Sequence, residues 1–123
     1  MAFEVPDFIA RYIKEREGSR PDVYTDSIKD GRQTYAFGFG SQLNEEEAQQ
    51  FSEGDIVPEE YRDLRFQRDL SRSYNAALEQ ASELGVEPTP EFIRGLTSAN
   101  YQLGTNWTKE HKNTWESIRA GNW

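Results

Sequence analysis

Glu17-Gly18 and Asp26 are the residues best suited to do chemistry in this sequence. They precede an alternating run, Thr34-Tyr35-Ala36-Phe37-Gly38-Phe39-Gly40. In that run Tyr35, Phe37 and Phe39 share one face of a strand, while Thr34, Ala36, Gly38 and Gly40 share the other. Glycine weakens a strand, so two on one face mark a place that another group approaches closely. Two carboxylates on separate elements beside such a strand suit the hydrolysis of a glycosidic bond. One carboxyl must be protonated, to donate to the leaving oxygen. The other must be ionised, to activate water or to stabilise positive charge on the sugar. Spacing by itself leaves a second reading open. The chain has 22 acids, and a pair like this is more often two solvated charges.

These residues need elements to hold them. Phe8, Ile9, Tyr12 and Ile13 recur at helical spacing between Pro6 and the stop signal Gly18, which predicts a helix from about Pro6 to Arg16. Asp30-Gly31 predicts a hairpin turn between a strand near Val23–Thr25 and the Thr34–Gly40 strand. Asn44 before Glu45, Glu46 and Glu47 reads as a helix cap with acids in the first turn. Pro58-Glu59-Glu60 opens a long helix with the stripe Leu70, Tyr74, Ala77, Leu78, Ala81 and Leu84, closed by Gly85. Thr89-Pro90-Glu91 starts another helix, which Gly104 ends, and Thr108 opens a last one carrying Trp115 and Ile118. Helix, small hairpin, then helices is an α+β layout in a single domain spanning residues 1–123.

Composition narrows the function. Leu, Ile, Val and Phe make up 24 of 123 residues, which is lean, but 16 aromatics supply burial, so a thin aromatic-rich core is expected. The net charge of −8 falls entirely in residues 1–61, with 6 basic and 14 acidic side chains. That balance speaks against a nucleic-acid binder. The sequence has no apolar run long enough to span a membrane. The start Met-Ala-Phe-Glu-Val-Pro-Asp has neither a basic region nor an apolar stretch, so no signal peptide is expected. Zero Cys and the lone His111 exclude thiolate and multi-histidine metal sites; composition leaves an all-carboxylate calcium site open, but no EF-hand spacing occurs.

Glu17-Gly18, Tyr24, Asp26 and Ala36-Phe37-Gly38-Phe39-Gly40-Ser41 together resemble the signature of the bacteriophage-type lysozymes, glycoside hydrolase family 24. That signature runs Glu-Gly, aromatic-x-Asp, then Thr-Ile-Gly-aromatic-Gly-His. Phe66-Gln67-Arg68-Asp69-Leu70, Ala99-Asn100-Tyr101-Gln102-Leu103-Gly104, and Trp115 through Gly121-Asn122-Trp123 extend the likeness over nearly the whole chain. The resemblance implies a small hairpin lobe and a mainly helical lobe, joined by a long helix at roughly Glu59–Leu84, with a shortened C-terminal end. It implies an inverting muramidase (an endolysin) that cleaves the β-1,4 bond between N-acetylmuramic acid and N-acetylglucosamine in peptidoglycan. Such an enzyme acts in phage lysis or virion entry, staying in the host cytoplasm until release to the cell wall, or riding in the virion. It uses no cofactor and no metal. Glu17 would be the general acid, and Asp26 would hold the attacking water. Tyr101 and Gln102 would line the cleft, with Ser41 and Gln42 at the mouth of the hairpin.

The chain departs from the family at three places. Ala36 stands where the family has its catalytic Thr. Thr34 is then the candidate hydroxyl, two residues and about 7 Å along the strand. Ser41 stands where the family has His, so a hydrogen bond to Asp69 is expected in place of an ion pair. The likeness also stops where the family continues with further helices. Trp107, Trp115 and Trp123 are therefore expected to repack locally or to be covered by a partner chain. The alternative function is a catalytically impaired lysozyme-derived module that binds glycan or builds the virion.

Overall fold

The computed structural model describes residues 4–29, 31–85, 87 and 89–121. Asp30 of the expected turn, Asn122 and Trp123 lie outside these. The described residues form six helices and a three-stranded antiparallel sheet, an α+β fold. The chain divides into two compact units, Arg11–Asp69 and Met1–Ala10 with Leu70–Trp123. Two helices cross the division, α1 (Asp7–Glu17) and α3 (Glu59–Leu84).

The sheet-bearing unit, Arg11–Asp69, starts with the end of α1. The Pro6 carbonyl accepts from the N–H groups of Ile9 and Ala10, so Pro6 stands just outside the helix, and Glu17 is its last residue. Strands β1 (Arg20–Lys29) and β2 (Arg32–Gly38) then pair antiparallel, with Lys29 opposite Arg32. Phe39-Gly40 is not strand. Gly38 and Gly40 take φ of +60° and +80°, which turns the chain into a two-residue strand, β3 (Ser41–Gln42). A strand this short leaves no alternation to read in sequence.

Two irregularities shape β1. Between Arg20, paired with Gly38, and Tyr24 it leaves β2 and bonds the segment after α2 (Glu45–Gln50): Val23 N–H donates to the Asp55 carbonyl at 2.9 Å, and Val57 N–H to the Pro21 carbonyl at 2.8 Å. Further on, Thr25 faces Tyr35 and Ser27 faces Thr34, so Asp26 is the extra residue of a β-bulge. Behind the sheet Val23, Phe37 and Val57 are buried, with Tyr35, Leu43, Phe51 and Tyr61 packed against them. The core is thin and aromatic. Phe37, Phe51 and Tyr61 have ring centroids 6.0–6.5 Å apart.

In the helical unit, Thr89 caps α4 (Pro90–Leu103) by accepting from the Phe92 N–H, and Gly104 ends it at φ +89°. The expected last helix is two: α5 (Trp107–Glu110) and α6 (Lys112–Arg119), broken at His111. In one continuous helix Trp107 and Trp115 would stand about 12 Å apart along the axis. The break brings their rings edge to face at 5.6 Å, both buried, so these two tryptophans repack locally.

Asn100 organises the α3–α4 contact inside this unit. It is 2 % exposed, and its amide exchanges hydrogen bonds with Gln80 and faces the carbonyls of Ser73 and Leu96. Asn100→Leu removes these bonds and leaves the buried Gln80 amide unmatched. It should cost about 2 kcal/mol in urea unfolding.

Candidate active site

Glu17, Asp26, Thr34, Ser41 and Gln42 all belong to the sheet-bearing unit. Tyr101 and Gln102 belong to the helical unit, in the last turn of α4, Tyr101 half-buried and Gln102 exposed.

Glu17 is half-buried at the C-terminal end of α1. Its Oε2 lies 3.2 Å from where a Cβ on Gly40 would stand. The Arg62 side chain likewise approaches Gly38. The strand face expected to carry both glycines ends at Gly38, and of the two only Gly40, in the turn beyond it, is tightly approached, by the Glu17 carboxylate. Asp26 is exposed at the bulge, and its Oδ2 accepts from Gln42 Nε2 at 3.2 Å. Burial first, and then the charges of Asp26 and Glu17, push the Tyr24 phenol above its ordinary value, against the Arg20 guanidinium 4.5 Å from its ring.

Thr34 serves another partner. Its hydroxyl is 2.9 Å from the Ser27 hydroxyl and donates to the Ser27 carbonyl at 3.1 Å. Its hydrogen bonds hold the β1–β2 ladder rather than Asp26. Ala36 faces Tyr24 on one side and Gln42 on the other, and is fully buried.

Ser41 donates to Asp69 Oδ2 at 2.7 Å, the expected neutral-donor bond. The cation comes from elsewhere. Arg65 Nη1 pairs with Asp69 Oδ1 at 2.6 Å, and its other nitrogens reach the Glu47 carboxylate and the Gln42 carbonyl. Glu47 also takes the Tyr61 hydroxyl and closes a capping box with Asn44. Both Arg65 and Glu47 are buried. Burial raises the Glu47 carboxyl, but Arg65, Tyr61 and the Asn44 N–H outweigh it and hold it below the ordinary value. Burial likewise lowers Arg65, and its two carboxylates more than restore it.

Sequence reading missed Arg65 and the burial of Glu47. Arg65 and Asp69 stand four apart on a helix, a spacing that reads as an ordinary surface pair. The Glu45–Glu47 run reads as cap and first turn, which Glu45 and Glu46 are. Nothing in the spacing distinguishes the third acid. Among the described residues no cluster of three or more His, Asp and Glu side chains is arranged to hold a metal ion.

Two outcomes are expected. Arg65→Leu leaves the Glu47 charge buried without its counter-ion and should cost about 3–5 kcal/mol in urea unfolding. The pH dependence carries the same signature. The folded value of Glu47 is depressed, so its contribution is whole above the unfolded value of about 4.3 and is lost as pH falls toward the folded one. Glu47→Gln should therefore lose less stability than the parent protein between pH 6 and pH 3.

No family model matches the chain, and no curated protein matches its sequence.

Proposed function

We propose that the chain is a peptidoglycan hydrolase of the muramidase type, cleaving the β-1,4 bond between N-acetylmuramic acid and N-acetylglucosamine. One observation carries this reading: within one compact unit the Glu17 carboxylate, at a helix end, lies against the Gly40 turn, while Asp26 stands at a strand bulge held by Gln42 from the strand that follows that turn. Glu17 gives its proton to the glycosidic oxygen. Asp26 holds the water that attacks the anomeric carbon from the opposite face and takes its proton as the glycosidic C–O bond breaks, so the anomeric configuration inverts. The glycan strand is the partner, met in the sheet-bearing unit at Ser41 and Gln42. Phage lysis or virion entry is the setting in which this activity is used.

A second reading, a lysozyme-derived module that binds glycan without cleaving it, has its own supporting observation. Ala36 has no hydroxyl, and the Thr34 hydroxyl is engaged with Ser27. Clearing of purified peptidoglycan separates the two. The hydrolase reading expects clearing by the parent protein and at least a hundredfold less by Glu17→Gln, the scale of losing a general acid. Co-sedimentation with insoluble peptidoglycan, with no release of reducing ends, would instead establish the binding module.

A further inference from the structure

We propose that Gln42 is the positioning residue for the Asp26 carboxylate. The inference rests on the muramidase reading only for what Asp26 does once it is held.

Asp26 lies at the bulge of β1, outside the regular ladder. A bulge re-aims its side chain, and an exposed carboxylate needs an anchored donor to stay in one rotamer. Gln42 is that donor, on β3 at the other side of β2. The bond from Gln42 Nε2 to Asp26 Oδ2 therefore spans the middle strand, two strand spacings or about 9.5 Å of sheet. Ala36 is the β2 residue paired with Gln42. Residues paired across strands share a face, so a short side chain at position 36 leaves the path open.

The donor is itself fixed. Gln42 is held to β2 through its pairing with Ala36, and its carbonyl accepts from buried Arg65 Nη2 at 2.6 Å. Arg65 is in turn locked by Glu47 and Asp69. Order passes from a buried ion cluster through one backbone carbonyl to an exposed carboxylate. The amide engages Oδ2 and leaves Oδ1 to accept from a water. The job of holding the acid then lies with an amide from β3, not with a hydroxyl on β2.

Two measurements test this. The first needs no activity: the Gln42 side-chain amide proton and nitrogen shifts should move on Asp26→Ala, and shifts that stay put would overturn the proposal. The second is kinetic. Gln42→Leu, which cannot donate, and Gln42→Asn, one methylene too short to span the strand, should each lower kcat about a hundredfold, as misplacing a reacting group by an ångström does. KM should change by a smaller factor than kcat does, because the larger loss falls on orientation rather than on uniform binding. Ala36→Ser in the Gln42→Leu background supplies a donor from the middle strand and should recover part of kcat, whereas a merely structural Gln42 would not be rescued this way. Unchanged kcat in a folded Gln42→Leu or Gln42→Asn enzyme would sink the proposal. If the parent protein clears no peptidoglycan, the muramidase reading fails, and the amide shifts decide the positioning role by themselves.

Discussion

A guanidinium taken out of water must find acceptors in fixed places, and this constraint organises the sheet-bearing unit. Leaving such a charge unpaired costs several kcal/mol. Arg65 meets it with both Glu47 oxygens, Asp69 Oδ1 and the Gln42 carbonyl, while its guanidinium lies 5.8 Å from the Phe37 ring centre. Its partners come from α2, α3 and β3. One side chain thus ties a short helix, a long helix and a two-residue strand together. A strand of two residues has little pairing of its own, and Arg65 supplies what the ladder lacks.

The carboxylates depend on this arrangement in different ways. Asp26 is reached from the cluster through Gln42. Glu17 is placed by α1 and by the absence of a side chain on Gly40. At φ +80° Gly40 also occupies a backbone region that other residues enter at a cost. One glycine therefore turns the chain and makes room for the acid. Nearby, Phe39 leaves the face it was expected to share with Phe37. It stacks on Phe66 at 4.8 Å, with the Lys14 ammonium over both rings. The turn at Gly38 and Gly40 is what frees it.

The helical unit solves a separate problem. It has few large aliphatics, and it buries two tryptophans by breaking a helix at His111. Asn100 adds a buried amide pair with Gln80, which fixes the register of two helices that apolar contacts would leave free to slide. No helix among the described residues is long and apolar enough to cross a membrane.

Local signals in the sequence sufficed for much of this. Asp30-Gly31 placed the hairpin, Asn44 and Thr89 placed two helix starts, and Pro58 and Gly85 bounded α3, because caps, turns and prolines act on the backbone within a few residues. Glu17 and Asp26 stood out by motif, and the Ser41–Asp69 bond by the pairing of two motif positions. What only tertiary structure decided were the partners of charged groups. Glu45, Glu46 and Glu47 are alike in sequence, yet Glu47 alone is buried, because α2 turns that side of its first turn toward Arg65. Thr34 was the hydroxyl expected to act beside Asp26 and Gln42 a residue at the mouth of the hairpin, and strand register, with its bulge, gave Thr34 to Ser27 and Asp26 to Gln42. Chain order specifies the elements through short-range sterics, but which charges meet depends on register and burial, which no local spacing encodes.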